Sequence, residues 1–174
     1  MAEPITITTQ LITDWLSAMG WAWREVPPSP PVNWQFEIQD PGQPQKRLLV
    51  QNTKLRPRGV AIGARLDLTP EHQTLFDSLN EAAKRELSRR LLEIHVRRSG
   101  DLQFSLNIKS EMELPADIHL STIRFDDGLT LDSFAHAVWA VDRALVETVV
   151  FFQQNLPVVR PATLAGWQPP SSSS

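Results

Sequence analysis

Val60-Ala61-Ile62-Gly63-Ala64-Arg65-Leu66-Asp67-Leu68 is the most informative stretch of the chain. Val60, Ile62, Ala64, Leu66 and Leu68 alternate with Ala61, Gly63, Arg65 and Asp67. Successive side chains of an extended strand point to opposite faces, so this alternation predicts an antiparallel strand with one buried and one wet face. A parallel strand sandwiched between helices would carry a continuous apolar run instead. The pattern recurs on both sides. Trp34, Phe36 and Ile38 oppose Gln35, Glu37 and Gln39, and Leu48 and Val50 follow the turn at Asp40-Pro41-Gly42. Further on, Leu102, Phe104, Leu106 and Ile108 oppose Gln103, Ser105, Asn107 and Lys109. Trp21 to Val26 reads as a short first strand and residues 117–125 as a last one. In that last strand the apolar phase moves from Ile118/Leu120 to Ile123/Phe125, which predicts a bulge or twist.

Helices punctuate these strands. Thr8 or Thr9 caps a first helix whose Leu11, Ile12, Trp15, Leu16 and Met19 form one stripe, and Gly20 ends it. Thr69-Pro70-Glu71 has the cap, the N1 proline and the first-turn acid of a helix start. Leu75, Leu79, Leu87, Leu91 and Ile94 continue that helix, with a break predicted near Asn80. Thr130 caps a last helix running to about Leu156. The order is helix, three or four strands, helix, two strands, helix. This gives an α+β two-layer domain over residues 1–156, with a one-sided antiparallel sheet packed by helices. Residues 157–174, rich in Pro and Ser, read as a disordered tail.

The last helix carries more apolar surface than one sheet face can hide. Phe134, Val138, Val141, Leu145, Val149 and Phe152 line one side, and Trp139, Val146 and Val150 widen the arc. These three are the expected dimer interface. The same helix contains His136, Asp142, Arg143 and Glu147, and each charge at a bilayer centre costs about 2.5–3.5 kcal/mol, so it reads as a buried helix and not a membrane span. The start of the chain has no basic-then-apolar signal, which leads us to expect a cytoplasmic protein with no membrane partner.

Composition narrows the chemistry. With 174 residues, 41% apolar and 21% charged, the chain has the makings of one ordinary soluble domain. The absence of cysteine excludes disulfides, thiolate catalysis and cysteine-ligated metals. His72, His95, His119 and His136 fall in no metal-ligand spacing, though Asp132 is placed to hydrogen-bond His136. Asp126-Asp127-Gly128 reads as a turn, since most oxygen ligands of a calcium loop are missing. No nucleophile elbow or phosphate-binding loop is present. The expectation is a non-enzyme with no metal and no cofactor.

Net charge is −3, but twelve basic residues face six acidic ones between Lys46 and Arg98. Lys54, Arg56, Arg58 and the helix at 84–98 would suit nucleic acid if they shared one face. Pairing of Glu81 with Arg85, Glu86 with Arg90 and Glu93 with Arg97 on a solvated helix is the favoured reading. Two surfaces stand out for protein binding: Trp21 and Trp23, which share a strand face, and the weakly charged wet face with Gln35, Gln39, Ala61, Gly63, Gln103, Ser105 and Asn107.

Glu25-Val-Pro-Pro28, Trp34-Gln-Phe-Glu-Ile-Gln-Asp-Pro41, Leu68-Thr-Pro-Glu-His72, Leu102-Gln-Phe-Ser-Leu106 and Asp126-Asp-Gly-Leu-Thr130 together resemble a family of small bacterial and archaeal proteins of unknown function. That family has a type III secretion chaperone-like, YbjN-like fold. The resemblance spans about residues 9–156. It implies a non-enzymatic homodimer that binds a segment of another, unidentified protein. Weak nucleic-acid binding by the basic segment, and a small-molecule sensor or enzyme without a recognisable motif, are the alternative readings.

Overall fold

A computed structural model describes residues 5–42, 46–96, 102–106 and 114–157. The order is α1 (Thr9–Ala18), β1 (Ala22–Glu25), β2 (Val32–Gln39), β3 (Arg47–Thr53), β4 (Arg56–Asp67), α2 (Pro70–Asp77), α3 (Glu81–Val96), β5 (Gln103–Leu106), β6 (Asp117–Phe125) and α4 (Leu131–Asn155). The strands form one six-stranded sheet in the order β1-β2-β3-β4-β6-β5. Every pairing is antiparallel. The first four strands make a meander. Helices α2 and α3 then carry the chain to the far edge, and β6 returns between β4 and β5.

The α+β reading of the sequence holds, including the split near Asn80. Helix α2 stops at Asp77, and the Asn80 side chain accepts a hydrogen bond from the Ala83 N–H at 2.9 Å, capping α3. Thr8 caps α1 by accepting from Leu11 N–H, and Gly20 follows it at φ 76°, a left-handed conformation that favours glycine. Thr130 and Ser133 form a reciprocal cap on α4.

Two expectations are corrected. Strand β6 has no bulge: it pairs with β4 without a break from Gly59 opposite Phe125 to Asp67 opposite Asp117. Ile118 and Leu120 therefore face the helices, while Ile123 and Phe125 face the other way, and the apolar phase shift marks a change of face. On α3, Glu86 pairs with Arg89 and not Arg90, and Arg89 also bonds Glu93. Arg85 pairs with Glu81 as expected. Arg97, and the strand residues expected at 107–109, lie outside the described residues, as do residues 158–174 of the expected tail.

All four helices pack on one face of the sheet. Phe36, Ile38, Leu48, Val50, Ile62, Leu66, Ile118 and Leu120 form the floor of the core. Ile12 and Leu16 of α1, Phe76 of α2, Leu87 and Leu91 of α3, and Phe134, Val138, Val141, Leu145 and Phe152 of α4 close it. Each such side chain contributes about 1.5–3 kcal/mol on burial. Among the described residues no helix is long and apolar enough to cross a membrane.

Two polar contacts pin this layer. Lys46, just before β3, donates to both carboxylate oxygens of Asp142 at 2.7 and 2.9 Å, with only 7% of its side chain exposed. Breaking a buried pair from one side strands a charge, whereas replacing both partners does not. Asp142→Ala is expected to cost about 3–5 kcal/mol in urea unfolding, and Lys46→Met with Asp142→Leu far less. Equal losses would show that the pair is not electrostatically isolated.

His72, at the third position of α2, is buried and accepts a hydrogen bond from the Thr69 N–H through Nδ1 at 3.2 Å, with its ring edge-on to Phe152. Burial pushes its pKa down from 6.5, against a smaller opposing influence of Glu71. A lowered folded pKa means that the unfolded chain binds the proton more readily. This contribution is intact above the unfolded value and is lost as pH falls from there through the folded value. His72→Gln keeps a cap acceptor without the titration. Stability measured across this range should fall with acidification in the parent and flatten in the variant.

Candidate functional site

The sheet face turned away from the helices is built by the register. One row across it runs Arg24, Glu37, Leu49, Gly63, Ser121 and Gln103; the next runs Gln35, Gln51, Ala61 and Ile123. Gly59 and Phe125 follow, with Phe125 47% exposed. Where these rows cross β4 the residues are small, and a shallow cavity of about 170 Å³ opens over Ala61 and Gly63. Leu49 and Gln51 wall it on the β3 side, and His119 and Ser121 on the β6 side. Its floor has a steric origin. A Cβ at Gly63 would stand 3.3 Å from the Leu120 carbonyl oxygen; outside the cavity, further along β4, one at Gly59 would stand 3.2 Å from the Ile123 side chain.

Charges on this face are neutralised within the chain. Glu37 holds Arg24 at 2.9 Å and Arg47 at 3.3 Å. Arg65 reaches Asp67 at 2.6 Å and Asp117 at 3.1 Å, and His119 Nε2 lies 3.1 Å from Asp117 Oδ1. Beside Phe125 and Gly59, Arg58 donates two hydrogen bonds to Asp126, at 2.8 and 2.9 Å. Those bonds hold the Asp126 carboxyl below the usual carboxylate range and raise Arg58. Asp117, His119 and Ser121 share one face of β6, a carboxylate, an imidazole and a hydroxyl in line. Asp117 is already shared between Arg65 and His119, and His119 makes no hydrogen bond to Ser121.

The structure separates the residues singled out from sequence. Trp21 is a correction: only 8% exposed, it packs in the core behind α1 and offers no surface. Trp23 is 44% exposed at the sheet edge, edge-on to Phe36, with its indole N–H 3.3 Å from Ser17 Oγ. Gln35 is a second correction. It is 2% exposed, its amide donates to the Pro27 carbonyl at 2.8 Å, and its Oε1 has no hydrogen-bond partner among the described residues. Gln39 is half-buried, Gln103 and Ser105 are exposed, and Asn107 lies outside the described residues. Gln39 on β2 and Gln103 and Ser105 on β5 stand four strand spacings apart, about 19 Å, as opposite rims of the face. Between them lie Ala61 and Gly63, which the alternation already placed on this face, and Leu49, Gln51, Ile123 and Phe125, which it did not nominate; for Ile123 and Phe125 the phase shift in β6 was the signal.

Trp139, Val146 and Val150 lie together on the outer side of α4. Trp139 is 58% exposed, Val150 40%, and Val146 is half-buried. Among the described residues the basic segment does not gather on one face. Arg58, Arg85 and Arg89 are ion-paired, Lys84 sits over the Phe76 ring, and Arg90 sits over Phe151 and bonds Asn155. Lys54 and Arg56 flank Leu55, which stands 79% exposed in the β3–β4 turn. His136 is exposed without a bond to Asp132, and among the described residues no His, Asp and Glu side chains cluster as a metal site would.

The fold is shared with a solved structure of an uncharacterized protein from Methanothermobacter thermautotrophicus, at TM-score 0.74 and 20% identity over 86% of this chain and 99% of that one. Further likenesses are to YbjN, a putative transcription regulator from E. coli (TM-score 0.49, 12% identity, 87% and 96% coverage), and to the ExsC-ExsE complex (TM-score 0.45, 20% identity, 87% and 94% coverage). No curated protein matches the chain. Residues 8–152 match a family described as "Uncharacterized conserved protein (DUF2299)", and the chain belongs to that family.

Proposed function

We propose that this chain is a non-enzymatic protein-binding module of the cytoplasm, chaperone-like or assembly-factor-like, which works as a homodimer and holds a segment of a partner protein. One observation carries the reading: apolar side chains stand exposed on opposite sides of a molecule whose core is already closed. Phe125 stands exposed on the open sheet face beside half-buried Ile123 and Ala61, and Trp139 and Val150 stand exposed on α4 beside half-buried Val146. Exposed aromatic and aliphatic groups ringed by polar ones are the usual anchors of protein interfaces. The α4 stripe suits self-association. The sheet face suits a client segment, because its middle, over Gln51, Ala61, Gly63 and Ile123, carries no charge to desolvate.

Light scattering after size exclusion, at tens of micromolar, is expected to give the mass of two chains. Trp139→Glu should give one chain with an unchanged circular dichroism spectrum, since that side chain faces outward. Peptides selected from a random displayed library against the parent should bind Ile123→Glu at least about tenfold more weakly, the loss of one anchor, yet bind Trp139→Glu normally. A monomeric parent, or selected peptides indifferent to Ile123→Glu, would contradict the proposal.

A further inference from the structure

We infer that two copies of this chain pair α4 against α4 in antiparallel fashion, about a two-fold axis level with residue 145; the inference rests on the homodimer reading and assigns its geometry. Trp139, Arg143, Val146 and Val150 follow one another at spacings of four, three and four, the repeat that keeps a single stripe of a helix facing a neighbouring helix. Their exposure places that stripe on the outer side of α4, with Arg143 and Glu147 along one margin and Arg143 79% exposed.

Orientation follows from charge and size. In a parallel pair the two-fold would set the stripe residues Arg143 against Arg143 and Trp139 against Trp139, and would carry each Glu147 to the opposite side of the seam, away from the second copy's Glu147. Like charges would then meet across the seam, and the two largest side chains would compete for the same space. In the antiparallel pair Arg143 meets Glu147 of the second copy, and Trp139 lies over Val150 of the second copy, large against small. Each Arg143, now 3.3 Å from Glu147 within its own chain, gains a second carboxylate neighbour. The helix dipoles also oppose head to tail. His136 and Gln154, both exposed on the same margin, are brought opposite each other across the axis.

The chain has no cysteine, so introduced ones report without background. His136→Cys and Gln154→Cys, made separately in the full chain, leave Trp139, Val146 and Val150 in place. A short bismaleimide is expected to join one variant to the other when they are mixed, and to join neither to itself. Self-joining of each variant, with little mixed product, would overturn the antiparallel pairing. So would a dimer by light scattering that gives no cross-link in any combination, which would leave the homodimer reading intact but move its seam off α4. A monomer by light scattering would overturn both.

Discussion

The unbroken register between β4 and β6 is the constraint on which the rest depends. From Gly59 opposite Phe125 to Asp67 opposite Asp117, each step fixes which side chain faces the helices and which faces away. A slip of one residue would turn Ile118 and Leu120 out of the core and put His119 and Ser121 into it. Because the register holds, Ile62, Leu66, Ile118 and Leu120 complete the floor under α4, and Ile123 and Phe125 are left on the open face. One strand thus gives its apolar side chains to the core from its first half and to the open face from its second.

Polar residues keep the two layers in place without closing that surface. Asn52, 5% exposed at the register shift in β3, donates to the carbonyls of Pro57 and Gly59 and accepts from Asn33, so the irregularity is satisfied internally. The contact of Lys46 with Asp142 ties the start of β3 to the middle of α4. The ion pairs of the open face run within the chain, from Arg24 and Arg47 to Glu37 and from Arg65 to Asp67 and Asp117. A surface with its charges already matched presents its apolar groups as the main means of attraction.

Much of this architecture is legible in the sequence because the relevant physics is local. Alternation between Val60 and Asp67 gives a half-buried strand, and Thr69-Pro70-Glu71 gives a helix start, from neighbours within a few residues. The outward placement of Trp139 and Val150 follows equally from helical spacing. What escaped was set by distant parts of the chain. Gln35 reads as wet by alternation, yet the Pro27 carbonyl meets it and the packing there buries it. Trp21 sits just before a strand but is enclosed by α1. The Lys46–Asp142 pair joins residues 96 apart in sequence, which no periodicity shows. The β6 phase shift was visible, but a bulge and a change of face leave the same mark in a sequence, and only the pairing partner separates them.

We propose a division of labour in which the α4 stripe closes on a second copy while the sheet face stays open for a client. Hydroxyl-radical footprinting of Trp139 and Phe125 across a dilution series tests it most directly, since both rings are oxidised readily when exposed. Protection of Trp139 as the protein is concentrated, with Phe125 equally reactive throughout, is the predicted result. Protection of Phe125 on association, with Trp139 still reactive, would contradict it.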